Sequence, residues 1–456
     1  MEYGILSIAI PLLTIILAII TKDVIISLMG GIFVGELVIH HYNIPDAFIS
    51  LFDGIVALFA KGWVTKTVIF MLLIGSIIKI ITQSGAIDKF IVYLSQKAKN
   101  IDSPRGAMLL AFVIGVVIFI ESSITSLVAG TVARPLCDKN GISRAKLAYI
   151  CDSTSAPICS LIPLNAWGAL LLGLIGTAIS SHIIQGDAVS LLISSIKYNF
   201  YSIFAILLVL VVIFFDLNIG GMKNSKATTY HIVKLENDTK ASLLPMLLPI
   251  SIMVIAVPIG LYLSGDGDIF KGSGSTSVYY SVIVTLIFIY FYYVTFKKYI
   301  THKQYFKSFY DGMGEMLGVS IILIFALQIG GVISQLHTAQ YLSHILDGNI
   351  DVSLLPMLIF ITASIMAFAT GTSWGTFSIM MPIALSLGAN MHLDIPLVIG
   401  AVISGGIFGD HASPISDTTI ISSMASKCDH IEHVRTQLPY AIMGAILASI
   451  MFWIYA

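Results

Sequence analysis

The sequence carries very little charge. Asp, Glu, Lys and Arg make up 11% of its 456 residues, against roughly 25% in a soluble domain, so the chain cannot coat a large globule with solvated side chains. A formal net charge of −1 supplies no basic surface for nucleic acid. Cysteine is scarce too. Cys137, Cys151, Cys159 and Cys428 show neither a CxxC pair nor a zinc spacing, and they read as free thiols in apolar surroundings. No spacing of nucleophile and base suggests an enzyme, and nothing calls for a cofactor. What fills the chain instead is apolar, 57% of all residues. Windows such as 4–21, 24–40, 199–216, 243–263, 277–296 and 438–455 suit the ~20 residues that cross about 30 Å of hydrocarbon. The N-terminal window has no basic leader and no small-residue cleavage site, and is read as retained. The fold class is an all-α, polytopic membrane protein, placed in the cell membrane.

Basic residues cluster within 89–105, 134–146, 223–240 and 297–307, which puts those loops on the cytoplasmic side. Loops with Asp266 and Asp268, or Asp347 and Asp351, then lie outside. Segment 107–133 has basic clusters on both flanks, so both ends are inside, yet its middle reads FIESSITSLVAG (119–130). A re-entrant hairpin accounts for this: two half-helices of about 14 residues, each roughly 21 Å long, meet at a polar tip. Non-helical backbone at that depth survives only under cover of protein or in a water-filled cavity. Segment 353–388 has acidic flanks and a similar middle, ATGTSWGTFSIMMP (369–382).

Aligning Pro135 with Pro382 lays Thr125-Ser126 over Thr372-Ser373. TQSGAI (82–87) then falls over LQIGGV (327–332), and DSTSAPICS (152–160) over GDHASPISD (409–417), with Pro157 and Pro414 in register. The chain reads as two inverted repeats, each with a re-entrant helical hairpin and a broken transmembrane helix. Residues 1–23 form a first transmembrane helix, 24–216 the first repeat, 217–276 a cytoplasmic linker and connecting helix, and 277–456 the second repeat. About ten full crossings are expected besides the hairpins, with 147–180 either one broken helix or two spans. Inverted repeats with interrupted helices are a recurring plan of secondary transporters, whose sites lie at the repeat interface.

The stretch FGDHASPISDTT (408–419) puts Asp410, His411 and Asp417 at membrane depth. An isolated charge there is costly, so a buried carboxylate takes a proton or binds a cation. One that takes either, but not both, exchanges them. Pro414 removes a backbone donor between the two aspartates, and an opened turn would offer carbonyls beside the hydroxyls of Ser413, Ser416 and Thr418. The plainer reading is that both aspartates cap half-helices. His411 is either a proton relay or a hydrogen-bonded packing residue. Asp152, with Ser153, Thr154, Ser155 and Pro157, repeats the arrangement in the first half, its alternative being a structural pair with an arginine. The first tip offers Glu121, Ser122, Ser123, Thr125 and Ser126; the second offers Thr370, Gly371, Thr372, Ser373, Gly375 and Thr376. Hydroxyls and amides at half-helix ends suit small ions and anionic groups, or else simply permit tight packing. Trp374 reads as a wedge or a gate, Arg134 as snorkelling to the cytoplasmic surface, and Asn165 and Trp167 as cavity lining.

Three stretches, GTVARPLCDKNGISRAKLAYICDSTSAPICSLIP (130–163), GTSWGTFSIMMPIA (371–384) and GGIFGDHASPISDTTIISSMAS (405–426), resemble the NhaC family of Na⁺/H⁺ antiporters, within a wider superfamily of ion transporters. The resemblance covers nearly the whole chain. It implies sodium-coupled transport on an inverted-repeat fold, with Na⁺ as coupling ion and ion sites at the tips Ser122–Ser126 and Gly371–Thr376. It also implies helix breaks at Asp152–Pro157 and Asp410–Asp417, a transport domain that moves against a scaffold, and a homodimer. Where many relatives resemble DDYFN, this chain has ESSIT (121–125), which puts the substrate in question more than the fold. Two functions stand at this point. One is a Na⁺/H⁺ antiporter in which Asp410 and Asp152 bind Na⁺ or H⁺ in turn, with Thr372 and neighbouring hydroxyls completing the sodium shell. The other is a Na⁺-coupled symporter or exchanger of a small organic acid or amino acid. Duplicated broken helices without a ring-forming subunit signature argue against a channel.

Overall fold

The computed structural model describes residues 3–21, 23–98, 103–119, 121–225, 242–267, 272–338, 340–341 and 351–456. Most of the linker expected at 217–242, including Lys226, Lys234 and Lys240, lies outside these residues. Nineteen α-helices are described. The first five are α1 (Leu6–Thr21), α2 (Val24–Ile39), α3 (Ile44–Phe59), α4 (Gly62–Gln83) and α5 (Ala86–Ala98). The next six are α6 (Pro104–Val117), α7 (Ser122–Lys139), α8 (Arg144–Leu161), α9 (Ala166–Ser180), α10 (Ala188–Ser195) and α11 (Phe200–Phe215). After the linker come α12 (Leu244–Ser264), α13 (Gly274–Ile289) and the long α14 (His302–Gln335). The chain closes with α15 (Leu355–Thr370), α16 (Ser373–Asn390), α17 (Ile395–Ala412), α18 (Asp417–Ser426) and α19 (His430–Ile454).

Eight described helices are long and apolar enough to cross a membrane, or up to nine with the bent pair α8–α9 counted as one span. The chain is a multi-pass membrane protein. The shortfall from ten is explained by α1 and α2, which are apolar but only 16 residues each. Within segment 147–180, α8 and α9 meet at a bend of 41° between Leu161 and Ala166, the form of a broken span or a re-entrant loop.

Both expected hairpin segments are helix–break–helix units whose arms pack against each other, α6 on α7 and α15 on α16. The second turns at Gly371, which has φ +69° and whose Cβ position lies 3.1 Å from the Ile415 backbone, so glycine suits it on both counts. Helix boundaries repeat along the chain. Helices α6, α7, α8 and α9 begin at residues 104, 122, 144 and 166, and α15, α16, α17 and α18 begin at 355, 373, 395 and 417, each pair 251 residues apart. Contacts repeat as well: α2 packs on α14 and α13 on α4, α9 on α16 and α18 on α7, and both α11 and α19 pack on α8 and α17. Where α4 crosses α14, Gly75 and Gly312 lie backbone against backbone, the close approach that small residues give membrane helices.

The structural register corrects the one drawn from the prolines. Pro163, not Pro157, falls opposite Pro414, and Ser122 falls opposite Ser373. Ser153, Thr154, Ser155 and Pro157 are not at a helix break, because α8 runs unbroken to Leu161 with Pro157 inside it. Thr154 donates to Ile150 O at 2.7 Å and Ser155 to Asp152 O at 3.3 Å, and residues 145–160 of α8 are buried throughout, the protein cover under which membrane helices carry proline.

Candidate functional site

The two breaks and the two tips converge on one cavity of about 240 Å³. Four carboxylates line it: Glu121 before α7, Glu315 on α14, Asp410 in the last turn of α17, and Asp417 at the start of α18. Ser122, Cys159 and Asn165 add polar atoms, and the indoles of Trp167 and Trp374 form an edge-to-face wall with ring centroids 6.3 Å apart.

Asp410 is 2% exposed. Its Oδ2 accepts from Ser373 Oγ at 2.7 Å, and its Oδ1 accepts from Ser416 Oγ at 2.7 Å, which in turn lies 3.1 Å from Thr418 Oγ1. One aspartate thus gathers the first residue of α16 and the break after α17, but no basic side chain. Asp417 opens onto the same cavity and accepts from the Thr418 amide at 2.9 Å. The break that separates them, 413–416, is held from outside: Ser413 Oγ donates to Phe368 O at 2.8 Å, and His430 Nε2 lies 2.6 Å from Pro414 O.

The other tip residues divide by role. Glu121 is the N-cap of α7, accepting from the amides of Ser123 (3.0 Å) and Ile124 (2.6 Å), which is the capping reading, while it also borders the cavity. Thr125 turns its hydroxyl back to Ile118 O and Glu121 O, and Ser126 pairs with Ser155 at 2.7 Å. Thr370 and Thr376 bond to backbone carbonyls of their own segment. Thr372 is the N-cap of α16 without a side-chain cap bond; its neighbour Ser373 is the one that reaches Asp410. Asn165 caps α9 through the Gly168 amide and donates to Phe119 O, tying the break of the first half to its hairpin. Arg134 does not snorkel free: it donates to Ala425 O at 2.8 Å, at the carbonyl end of α18, where a cation is favoured.

Asp152 lies apart from the cavity lining. It is fully buried on α8 and meets no arginine. Its Oδ2 lies 3.2 Å from His433 Nε2 and accepts from Gln437 Nε2 at 2.8 Å, both on α19. His411 is buried with both ring nitrogens partnered, Nε2 with Ser153 Oγ at 2.7 Å and Nδ1 with Tyr201 OH at 2.6 Å. The sequence reading missed Lys79, Glu315, Tyr201, His433 and Gln437. Lys79 and Glu315, 2.5 Å apart across the α4–α14 crossing, each interrupt an apolar helix, a signal that was there to be read. Among the described residues no three His, Cys, Asp or Glu side chains gather as a metal-holding group.

Comparison with known proteins bears on the family and the fold. An uncharacterized protein of Haemophilus influenzae is 38% identical over 97% of this chain and 89% of its own length. The malate-2H(+)/Na(+)-lactate antiporter of Bacillus subtilis is 42% identical over 92 residues, 20% of each chain. The crystal structure of the Alcanivorax borkumensis YdaH transporter shares the fold, with a TM-score of 0.58 over 90% of this chain and 89% of that one at 15% identity. The model of the Na⁺/H⁺ antiporter family matches residues 158–456, and with it the chain belongs to that family of secondary active antiporters.

Proposed function

We propose that this antiporter exchanges Na⁺ for protons by alternating access at the carboxylate-lined cavity. One observation carries the reading: Asp410, 2% exposed and without a basic partner, faces a single cavity together with Glu121 and Asp417, while the fourth carboxylate there, Glu315, is exposed and paired with Lys79. Burying Asp410 without a basic partner, beside two further carboxylates, is costly unless a cation or proton neutralises it. Asp410 and Asp417 are the exchanging groups. When Na⁺ enters, the hydroxyls of Ser373 and Ser416 turn from donors to Asp410 into oxygen ligands beside it, with the Thr418 hydroxyl behind Ser416; when a proton enters, they remain hydrogen-bond partners. Glu121 adds charge to the cavity from its capped position, and Asp152 and His411 serve on the proton side. The two halves act as inverted repeats in the cell membrane, the hairpins and broken helices moving against α4 and α14. A small organic acid or amino acid would bring its own carboxylate into this field, which makes Na⁺-coupled carriage of such a solute the weaker reading.

The test is a Na⁺ jump on proteoliposomes that contain the purified protein and a pH-sensitive dye, with no organic solute present. The expected result is saturable proton movement opposite to Na⁺, lost in Asp410→Asn while the variant remains folded. Proton movement that appears only when a carboxylate or amino acid is added would overturn the reading in favour of a coupled organic solute.

A further inference from the structure

We infer that the exchanged proton has a station of its own, His433 paired with Asp152, outside the cation cavity; the inference rests on the antiport reading above. Asp152, His433 and Gln437 are 0%, 0% and 1% exposed. A carboxylate oxygen only accepts, so Asp152 Oδ2 fixes the hydrogen of neutral His433 on Nε2, 3.2 Å away, and orients the Gln437 amide with its NH₂ toward Oδ2 and toward His411 O. That leaves Asp152 Oδ1, His433 Nδ1 and Gln437 Oε1 without a partner in the protein. Three bare acceptors in one dry cluster are what a purely structural network avoids. The two buried histidines differ here. His411 has a hydroxyl on each ring nitrogen, whereas His433 presents a lone pair at Nδ1 to which a proton can add.

The step balances simply. With His433 neutral and Asp152 ionised, the cluster carries one negative charge. A proton added at Nδ1 makes the imidazolium, and the pair becomes neutral; its release restores the charge. The groups beside Asp152 supply no fixed cation: Cys151 next to it on α8 and Tyr201 on α11. His411, Asp410 and Asp417 also interact with Asp152. Asp410 adjoins His411 in the chain, and Gln437 grips the His411 carbonyl, so a charge gained at His433 is felt where Na⁺ binds. The pair thus holds the proton in transit, while Asp410 remains the group at which Na⁺ and proton exclude each other.

Two fluxes separate this from the reading it rests on. Na⁺/Na⁺ counterflow with radioactive sodium needs the cavity but no net proton, whereas the Na⁺ jump needs both. His433→Gln keeps a donor for Asp152 and removes the titrating nitrogen. It is expected to retain counterflow while Na⁺-driven proton movement falls by on the order of 10²-fold. Gln437→Met, which takes one donor from the ionised carboxylate, is expected to raise the pH midpoint of proton coupling by roughly one unit, and it serves if His433→Gln does not fold. Proton coupling unchanged in both variants, or both fluxes falling together in folded protein, would overturn the proton station. Loss of sodium counterflow in the unaltered protein would instead overturn the cavity assignment.

Discussion

At the scale of single residues, Asp410 decides the site. Two serines from different elements, Ser373 and Ser416, each donate to it at 2.7 Å, a geometry that can pass directly from a hydrogen-bonded acid to an ion with oxygen ligands. Ser373→Ala should lower apparent Na⁺ affinity about tenfold, since a hydrogen bond to a charged group is worth ~1.5–3 kcal/mol and each 1.4 kcal/mol is a factor of ten. The Na⁺ dependence of counterflow measures this, and an unchanged dependence would remove Ser373 from the sodium shell. Asp410 and Asp417 were legible in the sequence because charge interrupts an apolar run there. His433 and Gln437 were not: they stand four residues apart on one face of α19, in HIEHVRTQ, a polar entry that looks like a helix end at the membrane surface. Only the long-range packing of α19 on α8 turns that face to Asp152.

At the scale of elements, the tips and breaks follow from local chemistry. Gly371 turns α15 into α16 at positive φ with the Ile415 backbone against it. Gly371→Val should cost about 1–3 kcal/mol from backbone strain alone, more with the clash, and lower the thermal unfolding midpoint in detergent; an equal midpoint would mean that the tip tolerates a side chain. The sequence reading found both hairpin segments from the flanking charges and polar centres. It misplaced the first helix break by trusting proline as a breaker. In α8 burial on all sides surrounds Pro157 and the helix continues, while the break falls at 162–165, where Asn165 gathers carbonyls from three directions. A proline marks a weak hydrogen bond, and whether the chain breaks there depends on what surrounds it.

At the scale of the whole molecule, the duplication organises everything. Helix starts recur 251 residues apart, and the cavity forms where the recurring breaks meet each other and α14. Sequence similarity between the halves was visible, but its offset drifted, because similar short motifs were matched rather than helix ends. The α4–α14 crossing could not be read at all: Gly75 and Gly312 are far apart in the chain and ordinary in their own windows, yet their contact sets Lys79 opposite Glu315. The central claim is that negative charge gathered at this junction holds either Na⁺ or protons. Proton release by the purified, detergent-solubilised protein on addition of Na⁺, followed by dye in weak buffer, tests it without a membrane or a gradient. The expected result is release that saturates with Na⁺ and disappears in Asp410→Asn. Release of equal size in that variant would contradict the assignment of the exchange to this cavity.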